Sequence, residues 1–164
     1  MSVPAPRVAI LTVSTSRAAS GEDDASGDRL EQFAREIGGE IAAREIVPDD
    51  RALIEQRLRH FSDAGACALV LTTGGTGVAP RDETPEATRA VIEREVPGIA
   101  EAMREASRPH TRHWMLSRGL AGIRGATLIV NFPGNPRSIA ETAAAIADAL
   151  PHALALIAGQ PTEH

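Results

Sequence analysis

The sequence predicts an α/β protein of three layers, α/β/α, built around a mainly parallel sheet. Short apolar runs alternate along the chain with segments whose apolar residues recur at helical spacing, which is typical of β–α–β units covered by helices on both faces. The run at residues 66–71 is short and continuous, as expected of a buried strand. The length of 164 residues suits one domain with a full core.

Four apolar runs bounded by turn-forming residues are predicted to be strands. They occupy residues 8–13, Glu40–Val47, 66–71 and Thr127–Phe132. Residues 14–27 form a polar segment, which is long for a connection and therefore predicts a functional loop. Ligands of parallel sheets bind beyond the carboxyl ends of the strands. We therefore expect the polar loops that begin at Ser14, Thr73 and Pro133 to converge on one cleft.

Apolar residues at spacings of three and four predict amphipathic helices between these strands. The sets are Leu30, Phe33, Ala34 and Ile37; Ile54, Leu58 and Phe61; Ile99, Ala102, Met103 and Ala106; and Ile139, Ala143, Ile146 and Leu150. A further helix is expected over residues 84–95, with Thr84 as its N-cap and Pro85 at its first position. The last helix, about residues 138–157, is expected to bend or split at Pro151.

The loop after the third strand carries the strongest functional signal. Gly74, Gly75 and Gly77 can take positive φ and let the backbone approach a ligand without a Cβ in the way. The Thr73 and Thr76 hydroxyls and the N-terminus of the next helix lie beside them. This combination predicts a cradle of backbone N–H groups for an anion, and it is more than a tight turn would require.

Three acidic residues lie near the predicted cleft. Asp82 follows the glycine loop, where a carboxylate would not bind the anion itself, so it is interpreted as a metal ligand or a proton acceptor. A plain surface acid or a helix cap is the alternative for this residue. Asp49 and Asp50 follow the second strand, and the helical periodicity that starts after Asp50 favours Asp50 as the N-cap.

The composition argues against several classes of function. All 17 basic residues are Arg, which excludes a Walker A loop and a Schiff-base lysine. The net charge of −5 without a basic run argues against nucleic acid or an anionic membrane as partner. The single Cys67 lies in an apolar strand, which excludes a disulfide framework and a zinc cluster. His110, His113 and Trp114 are expected at the surface or an interface, with no chemical role.

Nothing in the sequence indicates a membrane or export. No segment has the length of a membrane span. Residues 1–6 do not have the pattern of a signal peptide. A cytoplasmic protein is therefore expected.

Residues 72–88 hold the most specific motif, Thr72-Thr-Gly-Gly-Thr-Gly77 followed by Pro80-Arg-Asp-Glu-Thr-Pro-Glu-Ala-Thr88. Further motifs are Asp24-Ala-Ser-Gly27, Val47-Pro-Asp-Asp50, Met115-Leu-Ser-Arg118 and Phe132-Pro-Gly-Asn-Pro136. Together they resemble the MoaB/MogA family of molybdenum cofactor biosynthesis proteins, and the G domains of gephyrin and plant Cnx proteins are similar. The likeness covers about residues 7–158, which implies one molybdopterin-binding domain within residues 1–164.

The resemblance implies a molybdopterin-binding, MoaB/MogA-like fold and the activity of a molybdopterin adenylyltransferase. In that reaction the terminal phosphate of molybdopterin attacks the α-phosphorus of Mg-ATP, and adenylylated molybdopterin and pyrophosphate are formed. Molybdopterin and ATP are therefore the expected partners, with other cofactor-biosynthesis proteins as further partners and a homotrimer or hexamer as the assembly. The alternative is a non-catalytic molybdopterin-binding or carrier protein of the same family.

The resemblance also assigns roles to residues. Asp49 and Asp82 match the family's functional acids, and two carboxylates beside a triphosphate suit Mg²⁺, so both are expected to be catalytic and to bind the metal. The expected substrate-binding residues are Thr73, Gly74, Gly75, Thr76, Gly77, Ser117, Pro133, Gly134 and Asn135. The expected nucleotide-binding residues are Asp24, Ser26 and Gly27.

Three of these assignments have a plainer alternative. Ser26 suits a helix N-cap equally well. Ser117 could be an ordinary loop serine, and residues 133–136 could form a rigid turn. The chain also has Ser14-Thr15 after the first strand, where many members of the family have Ser-Asp.

Overall fold

A computed structural model describes residues 2–163. Its strands are β1 (Arg7–Val13), β2 (Glu40–Val47), β3 (Leu69–Thr73), β4 (Arg94–Glu95), β5 (Ala121–Arg124) and β6 (Thr127–Phe132). Its helices are α1 (Thr15–Ser20), α2 (Ala25–Glu36), α3 (Arg51–Ser62), α4 (Thr84–Val91), α5 (Pro97–Ser107), α6 (Pro136–Ile146) and α7 (Ala149–Ile157), with a 3₁₀ turn at Trp114–Leu116.

The six strands form one sheet in the order β2-β1-β3-β6-β5-β4. The first four strands in this order run parallel, while β5 and β4 are antiparallel to their neighbours at one edge. In the register, Val13 pairs with Val47, Thr12 with Thr73, and Thr73 with Phe132. The four parallel strands therefore end at the same edge of the sheet, and the loops that follow them meet there.

Alternate residues of the central strands β1, β3 and β6 face opposite layers, which confirms the three-layer prediction. Val8 and Ile10 of β1 belong to an apolar cluster with residues of α2, α5, α6 and α7. Ala9 and Leu11 belong to a second cluster with residues of α3 and α4. Both faces of the central strands are fully buried, as expected of a parallel sheet that helices cover on both sides.

The boundaries predicted for the third strand and for the helix after it differ from the observed ones. The strand predicted over residues 66–71 is β3, Leu69–Thr73; Ala66 has a positive φ of 48°, which a strand does not accommodate. At its other end β3 includes Thr73, which pairs with Phe132 of β6. The helix predicted over residues 84–95 ends at Val91, and Arg94–Glu95 forms β4 instead.

The remaining differences concern short elements. The polar segment of residues 14–27 contains the six-residue helix α1, which Ser14 caps by accepting a hydrogen bond from Arg17 N. The last helix breaks between Ile146 and Ala149 rather than at Pro151. Pro151 lies in the first turn of α7, where the backbone nitrogens need no partner within the helix.

Short β4 and β5 were not predicted at all. Together they contribute six residues at one edge of the sheet. Neither has the long apolar run by which a strand is recognised in a sequence.

No single helix within residues 2–163 is long and apolar enough to cross a membrane. The pair α6 and α7 reaches the necessary length and apolarity together, but the two helices are bent by 66°. Residues of both helices, among them Ile139 and Leu150, pack into the core against the sheet.

Candidate functional site

The glycine loop after β3 requires glycine at two positions. Gly74 has a φ of 94°, and a Cβ placed there would lie 2.3 Å from the backbone oxygen of Val13. Gly75 has a φ of 68°, and its Cβ would lie 2.3 Å from Thr84 Oγ1. Side chains at these positions would therefore be excluded by backbone conformation and by space. The loop is packed directly against the end of β1.

Hydrogen bonds join the loop after β6 to the glycine loop and to α2. Thr73 Oγ1 donates a hydrogen bond to Pro133 O at 2.7 Å, and Gly74 N donates to Phe132 O at 3.2 Å. Ser26 Oγ donates to Gly134 O at 2.6 Å. The expected convergence of the three polar loops is therefore confirmed. Ser26 is not the N-cap of α2, because Asp24 holds that position.

Thr84 was wrongly predicted to cap α4. Glu83 is the N-cap, and Thr84 and Pro85 form the start of the helix. The Thr84 hydroxyl instead donates to Gly74 O at 2.9 Å, and Thr84 N donates to Gly75 O at 3.2 Å. The N-terminus of α4 is thus fastened to the glycine loop.

Asp82 is half-buried beside this loop. Its Oδ2 accepts a hydrogen bond from Ala79 N at 3.0 Å. Gly77 lies so close that a Cβ there would be 2.8 Å from Asp82 Oδ2. The carboxylate is therefore held in place by the loop itself rather than by an ion pair.

Asp49 lies two residues after β2 and is bound to the start of α1. Its Oδ2 accepts hydrogen bonds from Thr15 N at 3.1 Å and Thr15 Oγ1 at 2.8 Å, and Asp49 N donates to Thr15 Oγ1 at 3.0 Å. Asp50 accepts from Leu53 N and caps α3, which confirms its predicted role. β1 lies between β2 and β3, so Asp49 and Asp82 follow the strands on either side of it.

None of the ion pairs within residues 2–163 includes Asp49 or Asp82. The partners of both carboxylates are uncharged N–H and O–H groups. Both carboxylates accept these hydrogen bonds through Oδ2. No three His, Cys, Asp or Glu side chains in the described chain gather as a metal site.

Asp24, in contrast, is committed to the protein's own structure. It is 8% exposed, and its carboxylate accepts from Gly27 N at 3.0 Å and Thr12 Oγ1 at 2.7 Å. Arg44 Nη2 lies 3.3 Å from the same carboxylate. A Cβ on Gly27 would lie 2.1 Å from Asp24 Oδ2, so this glycine allows the helix start to close over the acid.

A pocket of about 130 Å³ adjoins the loops, and Ser117, Pro133 and Asn131 line it. His113 and Trp114, which were expected only at the surface or an interface, line it as well. Further lining residues are Ala100, Met103, Arg104, Ser107, Thr111, Ser138 and Thr142.

Ser117 and Asn135 differ in how they relate to this pocket. Ser117 O accepts a hydrogen bond from Arg104 Nη1 at 3.4 Å, while Arg104 also donates to Gly119 O at 2.8 Å. Asn135 is exposed and its side-chain oxygen caps α6 by accepting from Arg137 N. The segment after β6 is therefore a helix start as well as a wall of the cleft.

The chain also matches a known protein family. Residues 9–152 match the family model described as "Probable molybdopterin binding domain". The chain belongs to the MoaB/MogA family of molybdenum cofactor biosynthesis proteins.

Relatives support the membership over most of the chain. A molybdopterin adenylyltransferase of Helicobacter pylori strain J99 is 40% identical over 154 residues, which are 93% of this chain and 88% of that protein. The crystal structure of the molybdopterin biosynthesis enzyme MoaB from Thermus thermophilus is similar to this chain, with a TM-score of 0.89 and 45% sequence identity. The matched region covers 96% of this chain and 99% of the MoaB chain.

Not every relative is matched along its whole length. The molybdenum cofactor synthesis protein cinnamon of Drosophila melanogaster is 42% identical over 149 residues, which are 90% of this chain. The chain spans only 25% of that protein.

Two residues of the family motifs have contacts that sequence reasoning did not anticipate. Arg118 donates to the glycine loop through Nε, which lies 2.6 Å from Gly77 O, and forms an ion pair with Glu86. The hydrogen bond from Arg118 holds the pKa of the Glu86 carboxyl below its usual range, against the opposing effect of burial. Both residues lie within quoted motifs, but their pairing depends on how α4 packs against the segment that follows the 3₁₀ turn.

Asn131 of β6 is the third unanticipated residue. It is buried, its Nδ2 donates to Thr72 Oγ1 and Thr88 Oγ1 at 3.0 Å each, and its Oδ1 accepts from Leu120 N at 3.2 Å. The family motif begins only at the next residue. A single polar residue inside an apolar run was the available signal, because a buried amide requires partners.

Replacement of Glu86 by Gln is expected to change the pH dependence of stability. A carboxyl whose folded pKa is lowered stabilises the fold above its unfolded pKa, about 4.3 for Glu, and loses this contribution as the pH falls through the folded value. The wild type should therefore have a larger free energy of unfolding than Glu86→Gln. This difference should be greatest above about pH 5 and should shrink below about pH 4. Urea unfolding across pH 3–7 measures it.

The matched control is Glu105→Gln, which removes an exposed ion pair with Arg108. Exposed pairs contribute little to stability, so this variant should follow the wild type at every pH. A Glu86→Gln curve parallel to the wild-type curve would contradict the prediction.

Proposed function

We propose that the protein is a molybdopterin adenylyltransferase, which transfers AMP from Mg-ATP to the terminal phosphate of molybdopterin and releases pyrophosphate. The observation that carries the proposal is a glycine cradle with two carboxylates, Asp49 and Asp82, that face no cation of the protein. Relatives named molybdopterin adenylyltransferase at 40–50% identity support it.

The glycine loop is suited to bind phosphate. Gly75 N, Thr76 N and Gly77 N make no hydrogen bond to another backbone group in the described chain. The N-terminus of α4 adjoins them, and helix N-termini favour anions through their unpaired N–H groups. In this proposal the loop orients a phosphate, while Thr73 fixes the loop through its bond to Pro133 O.

The donor set at the sheet edge fits Mg²⁺. This ion takes oxygen ligands and is commonly held by one or two carboxylates together with substrate phosphates and water. Asp49 and Asp82 would supply the carboxylates, and the bound ion would neutralise charge that develops as pyrophosphate leaves. Thr15 and the amide of Ala79 keep the two acids oriented without neutralising them.

The remaining residues are assigned to the substrates. Ser117 and Pro133 line the pocket beside the loops, and we assign them with Gly134 and Asn135 to the pterin. We assign Ser26 and Gly27 to the nucleotide. Asp24 would act on the nucleotide only indirectly, because its carboxylate already accepts three hydrogen bonds within the protein.

A carrier that only binds molybdopterin is less consistent with the site. Two acids without an internal cation repel an anionic pterin phosphate unless a metal ion comes between them. We place the protein in the cytoplasm, with molybdopterin, ATP and other cofactor-biosynthesis proteins as its partners. The direct test is to mix protein, molybdopterin and Mg-ATP and to detect adenylylated molybdopterin by mass.

Asp82→Asn is expected to abolish this product while molybdopterin binds as tightly as before or slightly more tightly. Asn keeps the size and one acceptor oxygen but loses the charge that would hold the cation. Product formation by mass and pterin affinity by fluorescence titration measure the two effects. The control is Asp50→Asn, since Asn also caps helices well and Asp50 serves as a cap. Near wild-type turnover in Asp82→Asn would transfer the catalytic role to Asp49.

Ser117→Ala is expected to weaken molybdopterin binding and leave the fold unchanged. A lost hydrogen bond to a charged group costs about 1.5–3 kcal/mol, which corresponds to roughly ten- to a hundredfold in affinity. Ser62→Ala, which removes a hydroxyl bonded inside α3, should leave affinity unchanged. An unaltered dissociation constant in Ser117→Ala would show that the pterin lies elsewhere.

A homotrimer or hexamer is expected in solution. Ala140 and Ala144 form an exposed face of small side chains along α6 beside α2, where a second copy could approach closely, and closed symmetric rings are usual for homo-oligomers. Light scattering at micromolar concentration should report three or six times the chain mass of 17.3 kDa. A monomer would rule this assembly out.

A further inference from the structure

The outer part of the glycine loop, residues 77–82, is held in place by hydrogen bonds from one side chain elsewhere in the chain. Val78 in this segment is 64% exposed. The bonds inside the segment are those from Asp82 N to Ala79 O and from Ala79 N to Asp82 Oδ2, both at 3.0 Å. Within residues 2–163, the hydrogen bonds that join the segment to other elements all come from Arg118.

Arg118 binds both ends of the segment at once. Its Nε donates to Gly77 O at 2.6 Å, and its Nη2 donates to Asp82 O at 2.6 Å. Its backbone N donates to Thr76 O at 2.8 Å. The planar fork of a guanidinium can make such divergent bonds in fixed directions, whereas an ammonium group cannot.

The third nitrogen of the guanidinium is fixed by α4. Arg118 Nη1 donates to Glu86 Oε1 in the first turn of that helix. The other oxygen, Glu86 Oε2, is buried and has no hydrogen-bond partner in the described chain. The positive charge of Arg118 is therefore balanced by Glu86 and is not available to a substrate anion. The guanidinium is held against α4, the helix that follows Asp82.

We propose that Arg118, oriented by Glu86, is a positioning residue that closes residues 77–82 and so holds the Asp82 carboxylate toward the cation. This role rests on the proposed function of Asp82 as a ligand to that cation. Arg118 itself touches backbone oxygens and Glu86, not the reacting atoms. Loss of the guanidinium should break the hydrogen bond to Asp82 O. The hydrogen bond from Ala79 N to Asp82 Oδ2 should then be disturbed as well.

The first test measures the affinity of Mn²⁺ for the protein with ATP by electron paramagnetic resonance. Arg118→Lys should weaken Mn²⁺ binding roughly tenfold, and Asp82→Asn should weaken it at least as much. Because Arg118 acts through Asp82, the double variant should be no weaker than Asp82→Asn alone, since residues that act as one unit are not additive. Additive losses would overturn the proposal.

The second test needs no ligand. Amide hydrogen exchange of residues 77–82 should be faster in Arg118→Lys than in the wild type, while exchange in the core strands β1 and β3 should be unchanged. In steady-state assays, kcat should fall with little change in the KM for molybdopterin. Unchanged exchange in residues 77–82, or a loss confined to KM, would overturn the proposal.

Arg124→Lys is the matched control. Arg124 also donates through all three nitrogens, to both oxygens of Asp63 and to Val91 O, but it lies on β5 away from the glycine loop. This variant should match the wild type in Mn²⁺ affinity, in exchange of residues 77–82 and in kcat. Equal effects in both variants would indicate a general loss of structure and overturn the proposal.

The outcomes also separate this role from the proposed function. If the wild type forms adenylylated molybdopterin and Arg118→Lys binds Mn²⁺ as tightly as the wild type, the role of Arg118 is wrong and the function stands. If the wild type forms no product but the Mn²⁺ losses are non-additive, the function is wrong and the role of Arg118 stands. No Mn²⁺ binding in the presence of ATP would overturn both.

Discussion

The backbone of the glycine loop lies against the end of β1 at a distance that admits no side chain. Gly74 makes this approach possible, because its Cβ would lie 2.3 Å from Val13 O. Gly134 lies on the other side of Gly74, and a Cβ placed on Gly134 would be 3.5 Å from Gly74 Cα. The ends of β1, β3 and β6 are thereby joined through their backbones. Asp82 lies in the loop that leaves this junction, and Pro133 beside it lines the pocket.

Charge is distributed around this junction in a consistent way. The acids that would hold a cation, Asp49 and Asp82, accept only from neutral groups, so their negative charge stays available. Buried Asp24 and motif residue Glu86 are instead paired with arginines, Arg44 and Arg118. Asp24 and Glu86 are thus neutralised by the protein, whereas Asp49 and Asp82 are not.

The fold could largely be predicted because local sequence signals agree with the tertiary arrangement. Continuous apolar runs and helical periodicity located the parallel strands and the covering helices, since these elements owe their burial to their own residues. The edge strands β4 and β5 and the end of α4 at Val91 were not predictable. They exist because residues 94–95 find partners on β5, and such pairing leaves little signal in so short a segment.

For the candidate site, the sequence by itself determined which residue types stand at the carboxyl ends of the strands. The sequence predicted the glycines after β3, the acids Asp49 and Asp82, and the helix cap at Asp50. It could do so because backbone conformation and capping depend on near neighbours. Only the tertiary structure decided that Asp24 is sequestered by Thr12 and Arg44. It alone decided that Arg118 closes a loop some forty residues earlier in the chain. Contacts between distant segments depend on how whole layers pack, and no local pattern of residues records that.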